Sequence, residues 1–227
     1  MYIYLCGLHS PPDKMREICV DVECVATGMG HNDRSVCWIG AVDVDGNVLL
    51  DVKIKVPNMY SPLTGITGVT VEMLEQEGVS REEGLKKTRE VLGADVLLVG
   101  QKIQSDIDWL ELKKGIDYGD MHDIAEDFKS YNSKYQRYDY CSLAQEAFVL
   151  LGVSMHGKES HSPIKDGIVT MQLYSVFVKN NTTKDASERI SRMRRTKNLP
   201  HTAATPIDGV CVYRFNRNKC FCGQPIG

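Results

Sequence analysis

Residues 17–25, EICVDVECV, decide the fold. The run is apolar enough to lie centrally in a sheet, yet it carries Asp21 and Glu23 two positions apart. Side chains alternate along a strand, so both carboxylates leave one face while Ile18, Val20 and Val22 leave the other. Two acids rising from a buried strand want a cation, whereas two acids on a solvent face need none. A lone Asp-x-Glu does not choose between those readings.

Working outward, residues 35–56, SVCWIGAVDVDGNVLLDVKIKV, form two apolar runs around Asp45-Gly46-Asn47, a hairpin signal. With the first run they predict three successive antiparallel strands. Residues 69–78, VTVEMLEQEG, read as helical, and 80–93, SREEGLKKTREVLG, follow with Ser80 as N-cap and Glu83 at the capping-box position. The unbroken apolar run 94–100, ADVLLVG, marks a strand buried on both faces. Beyond it come a helix over 106–115 closed by Gly115, a short strand within 117–128, and a helix from Ser142 to Gly152. A last helix opens at Ser162-Pro163 and runs toward Asn180. Antiparallel strands followed by alternating helix and strand predict an α/β fold, a mixed sheet flanked by helices.

At 227 residues, 42% hydrophobic and 25% charged, the chain is neither collagen-like, coiled-coil nor wholly disordered. A chain of this size buries about 70% of its unfolded surface, so its eight cysteines are not needed as disulfide staples. The opening MYIYLCGLHSPP lacks the basic start and small-residue cleavage site of a secretory leader, and no window holds eighteen consecutive apolar residues. The expectation is a reducing compartment, nuclear or cytoplasmic and not secreted, where the sequons at Asn180 and Asn181 have no role. Net charge is −3, but residues 183–227 hold nine Lys+Arg against three Asp+Glu, leaving an acidic body near −9. An acidic body suits nucleic acid only if metal ions neutralise some carboxylates.

Further acids fit that idea. Asp106 follows the buried strand by six residues at a helix start, where capping is the plainer role, and Asp108 competes with it. His161 and Asp166 form His-x4-Asp across the start of the last helix, a spacing that is common by chance. The weight lies in their order along the chain.

With the motifs CVDVECVATG, VGQKIQSDIDWL and HSPIKDGIVTMQLY in that order, and SPLTGITGVTVEML between the first two, residues 17–179 resemble the DEDDh 3′-to-5′ exonucleases. These are the DnaQ-like, ribonuclease H-like superfamily, and the likeness is nearest to the eukaryotic RNA exonuclease branch that includes interferon-stimulated and ribosomal-RNA-processing enzymes. The resemblance implies a mixed five-stranded sheet and a 3′-to-5′ exoribonuclease that releases nucleoside 5′-monophosphates from single-stranded RNA. It assigns Asp21, Glu23, Asp106 and Asp166 to two Mg2+ or Mn2+ ions and His161 to the general base. It also points to Cys24, Val25, Leu63, Thr64 and Ile66 as contacts to the terminal bases, with Trp109 either a stacking platform or core. Gln101 stands where the family commonly has His, and Cys24 where it often has Met, Thr or Phe. A single-stranded DNA exonuclease would use the same five residues, and a catalytically idle RNA-binding module would not need four acids.

The expected organisation is an N-terminal extension over 1–16, the exonuclease domain over 17–180 and a basic extension over 181–227. Its stretch SERISRMRRTKNLP reads as a solvated helix, a nuclear-import patch or a phosphate-binding arm. At its end Cys220-x-Cys222-Gly-x-Pro looks like the opening of a GRF-type zinc finger. Two thiolates are half a tetrahedral site, so either Cys211 or His201 completes it, or all are reduced thiols.

Overall fold

The computed structural model describes residues 15–155, 161–195, 207–212 and 220–225. Most of the expected N-terminal extension, and His201, lie outside the described residues.

The quoted run becomes β1, Arg16–Ala26, the centre of a five-stranded sheet. Its neighbours are β2, Arg34–Asp43, paired antiparallel, and β4, Gly93–Gly100, paired parallel. Strand β3, Val48–Lys53, and strand β5, Tyr118–Asp123, complete the order β3-β2-β1-β4-β5. The predicted hairpin is made by Asp43, whose Oδ1 accepts from the N–H of Asp45 at 3.0 Å and of Asn47 at 2.9 Å, with Gly46 supplying φ 83°.

Alternation on β1 divides the interior into two cores. Ile18 and Val20 pack with Ile39, Val96 and Leu98 beneath α3, Arg81–Val91, and α4, Gln104–Trp109. Cys19, Val42 and Val99 face the other way, toward α5, Ile124–Phe128, α7, Pro163–Leu173, and α8, Thr183–Arg195. The smaller helices α1, Thr64–Thr67, and α2, Val71–Glu77, lie between β3 and α3 in sequence, and α6, Leu143–Glu146, continues as a π-helical turn to Leu151. A short hairpin, β6, Ser130–Asn132, and β7, Arg137–Asp139, sits apart from the main sheet.

Helix α7 approaches the sheet closely at glycines. A Cβ on Gly40 would lie 2.9 Å from the backbone of Pro163, and one on Gly167 would lie 3.1 Å from Val42. These contacts seat the first turn of α7 over β1 and β2, and so set where Asp166 stands.

Three expectations change. The helix predicted over 106–115 ends at Trp109, because Glu111 turns at φ 53° and Gly115, at φ 82°, belongs to the turn before β5. Ser80 caps α3 through the Glu83 N–H at 3.1 Å, whereas the reciprocal capping box forms between Ser142 and Gln145 at α6. Of the basic stretch, residues 187–195 belong to α8, a helix that is not simply solvated, since its Ala186 and Ile190 are wholly buried in the second core. Helix α8, which lies beyond residue 180, shares that core with α5 and α7.

Candidate active site

Parallel strands β1 and β4 run toward the same edge of the sheet, and the acids gather there because helices α4 and α7 begin beside it. Asp21 and Glu23 share the β1 face that Cys19 turns toward α7. Asp106 stands in the first turn of α4, just beyond β4, and Asp166 in the first turn of α7.

The distances bind these together. Asp106 Oδ1 accepts the Val22 N–H at 3.2 Å, which ties α4 to β1 between the two strand acids. Glu23, His161 and Asp166 offer ligand atoms that all lie within 4.8 Å of one another. His161 Nδ1 is 3.2 Å from Asp166 Oδ2. Asp21, Glu23 and Asp106 also line one open cleft of about 500 Å3.

Burial and like charge keep Asp21, Glu23 and Asp106 protonated more readily than in water. Asp21 is pushed well above its ordinary value by desolvation, with Asp106, Asp166 and Glu23 adding repulsion. Glu23 is raised to about 8 by desolvation and by Asp166, with His161 pulling the other way. Asp106 is raised to about 7 by desolvation, against the hydrogen bond from Val22. His161 is raised by its bond to Asp166. Clustered hard oxygen donors at mutual electrostatic cost fit divalent cations of the Mg2+ or Mn2+ kind, which remove that cost on binding.

Asp106, 9% exposed, is in the cleft, while Asp108 is exposed and accepts from Gln104 Nε2 at 2.8 Å. The structure thus separates the two candidates. Among the residues expected to touch bases, Cys24, Leu63 and Ile66 line the cleft, as does Trp109, which also packs against the first core. Val25 and Thr64 do not. The β1–β2 pairing slips between Glu23 and Cys24, passing over Cys37 on β2, and Val25 is buried with Cys37, Val69 and Leu74. The Thr64 hydroxyl is taken by the Val69 carbonyl at 2.6 Å. Gln101 lines the cleft and donates to Glu146 Oε1 at 2.9 Å and to the Cys141 carbonyl at 3.1 Å, so it links β4 to α6.

Arg34, Lys102, Ser105 and Thr67 also line the cleft and were not singled out from sequence. Lys102, at φ 61° directly after β4, had a positional signal in its place behind the strand. Arg34 had none, since it reaches the cleft from the start of β2. Cys211, Cys220 and Cys222 gather beside His31, a separate cluster from the acids.

No family model matches the chain. Small RNA degrading nuclease 3 of Arabidopsis thaliana is 31% identical over 158 residues, covering 68% of this chain and 19% of that protein. RNA exonuclease 4 of Candida glabrata is 25% identical over 158 residues, covering 69% of this chain and 58% of the relative. The chain thus spans less than two thirds of either relative. Among solved structures, the pseudoubiquitin hydrolase–RNA exonuclease module of Saccharomyces cerevisiae Pan2 in complex with AAGGA RNA superposes with a TM-score of 0.67 at 17% identity, over 86% of this chain and 34% of that one. The chain has the ribonuclease H-like fold and is related in sequence to RNA exonucleases of the DEDD type.

Proposed function

We propose that this chain is a metal-dependent 3′-to-5′ exoribonuclease that removes nucleoside 5′-monophosphates from single-stranded RNA. The observation that carries this is the convergence at one sheet edge of Asp21, Glu23 and Asp106, which line an open cleft, with His161 and Asp166, which meet Glu23 there. The kinship with RNA exonucleases supports the substrate class.

The carboxylates of Asp21, Glu23, Asp106 and Asp166 are the groups that would hold divalent cations. Bound there, such ions supply positive charge to the attacking water, the scissile phosphate and the departing oxygen. His161 turns Nδ1 toward Asp166 and so keeps its other ring nitrogen for a proton. In hydrolysis, water oxygen bonds to phosphorus as Nε2 takes the water's proton, and the bond from phosphorus to the 3′ oxygen of the preceding nucleotide breaks, that oxygen keeping the electron pair and taking a proton from solvent to become the new 3′-hydroxyl. Asp166 orients the ring and stabilises its charged form. Leu63, Ile66, Cys24 and Trp109 give the terminal base an apolar wall, and Arg34 and Lys102 offer positive charge to the phosphates.

Polarity and product test this proposal. RNA labelled at its 5′ end should shorten to a ladder while nucleoside 5′-monophosphates accumulate, and a 3′-phosphate block should slow the reaction. Release of 3′-monophosphates, or loss of the 5′ label as the first product, would contradict it. Matched DNA run alongside ranks the two sugars, since only RNA presents a 2′-hydroxyl to the site.

A further inference from the structure

The second cluster is built for a metal of different chemistry. His31, in the turn between β1 and β2, meets Cys211, Cys220 and Cys222 from the far end of the chain, and their ligand atoms all lie within 4.8 Å of one another. Cys211 Sγ is 3.8 Å from Cys220 Sγ, which is 3.6 Å from Cys222 Sγ. His31 Nδ1 is 3.0 Å from Cys222 Sγ, 3.5 Å from Cys220 Sγ and 4.0 Å from Cys211 Sγ. A tetrahedral ion with bonds of about 2.3 Å to sulfur and about 2.0 Å to nitrogen sets its ligands about 3.5–3.8 Å apart. The two sulfur–sulfur separations and the His31–Cys220 edge match that tetrahedron, while the His31–Cys222 edge is short and the His31–Cys211 edge long, each by about half an ångström, so a swing of the ring from Cys222 toward Cys211 corrects both. None of the three cysteines is in a disulfide.

The surroundings orient the ligands. His31 Nε2 lies 2.8 Å from the Pro225 carbonyl, which accepts its proton and leaves Nδ1 bare toward the sulfurs. The backbone N–H groups of Gln224 and His31 point at the Cys222 sulfur, and those of Cys222 and Gly223 at Cys220. Gly223, at φ 70°, makes the turn that Cys-x-Cys-Gly requires. Gln224 bridges the two segments, accepting from the Asn32 N–H at 2.9 Å and donating to Asp33 Oδ1 at 2.9 Å. A Cβ on Gly30 would stand 2.2 Å from the Gln224 amide, so only glycine admits this approach. Arg34 donates to the Cys211 carbonyl at 2.9 Å and brings positive charge to a site of three thiolates.

We infer that His31, Cys211, Cys220 and Cys222 bind one structural Zn2+ that staples the C-terminal segment to the β1–β2 turn. A complete set of four protein ligands with no open position is the structural rather than the catalytic pattern, and three thiolates with an imidazole select zinc over the hard cations suited to the acids. The staple reaches the cleft. Residues 207–212 pack Val210 and Ile207 against Ala26 and Leu63, Asp208 accepts from the Ser61 hydroxyl at 2.5 Å, and Val212 lines the cleft beside Arg34. Zinc would hold the wall on which Leu63 sits, and the zinc site stands whether or not the chain hydrolyses RNA.

The test uses the full chain, purified under reducing conditions from zinc-supplemented medium and dialysed free of loose metal. Elemental analysis should give about one zinc per chain. His31→Ala and Cys222→Ser should lose at least about nine tenths of it, while His31→Cys and Asp21→Ala should keep it, the first because it restores a fourth ligand and the second because the acids are not involved. Replacement by Co2+ in the unmutated chain should produce a thiolate-to-cobalt charge-transfer band, a readout that needs no variant to fold. A reduced chain that holds no zinc and gives no such band overturns the proposal. So does zinc that survives in Cys220→Ser/Cys222→Ser, or a mass two hydrogens short that reveals a disulfide in the reduced chain.

Discussion

Asp106 and Asp108 show how little spacing says about a single acid and how much a backbone contact adds. Asp106 accepts from Val22 inside the cleft, while Asp108 binds Gln104 on the surface. Asp106→Ala should therefore lower the rate of RNA hydrolysis by roughly three orders of magnitude, as should Asp166→Ala, and Asp108→Ala should leave it within about twofold. Initial rates on one labelled RNA decide this, and equal losses at 106 and 108 would contradict the assignment. Glu146 makes a prediction about stability. It is fully buried and raised to about 8, chiefly by desolvation, and its Oε2 has no hydrogen-bond partner among the described residues. The folded chain thus keeps a proton that the unfolded chain releases above the ordinary value of 4.5, so this residue's contribution is full below that value and is lost as pH rises toward 8. Glu146→Gln keeps the shape without the charge and should gain about 1–3 kcal/mol at the alkaline end and little near pH 4. Urea melts of both proteins across that range measure the difference, and parallel curves would show that Glu146 is not the titrating group.

At the scale of elements, the central sheet was legible because its signals are periodic and local. Alternation in EICVDVECV, the Asp-Gly-Asn turn and the unbroken ADVLLVG each carry their own evidence for a strand. What the sequence hid depends on tertiary contact. The pairing slip opposite Cys37 turns Val25 into the core, and nothing in a one-dimensional pattern marks it. Helix α8 reads as polar because Ala186 and Ile190 are a sparse apolar stripe among charges, yet that stripe fills a gap beside α5 and the turn after α6. Ile190→Ala should cost about 2–4 kcal/mol of unfolding free energy, measured by urea melts, where a solvated helix would lose almost nothing. The cleft shows the same division. Acids in family order were readable, whereas His31 in the β1–β2 turn and Arg34 at the start of β2 reach their sites in directions that only the folded sheet defines.

At the scale of the whole molecule, the acid cluster sets stability against function. Asp21 and Glu23 are desolvated and repelled by Asp106 and Asp166, a cost that bound divalent cations would relieve. Asp21→Asn should raise the melting temperature of the metal-free protein by several degrees and shrink the rise that Mg2+ produces, while losing activity. Acids that bind no cation would show no rise with Mg2+ for Asp21→Asn to shrink. The most direct test of the central claim is single-turnover degradation of 5′-labelled single-stranded RNA with Mg2+, comparing the unmutated chain with Asp21→Ala and His161→Ala and with added EDTA. The predicted result is a ladder shortening from the 3′ end, abolished by Asp21→Ala and by EDTA and slowed by orders of magnitude in His161→Ala. An equal ladder in the Asp21→Ala protein, or one indifferent to EDTA, would contradict the account.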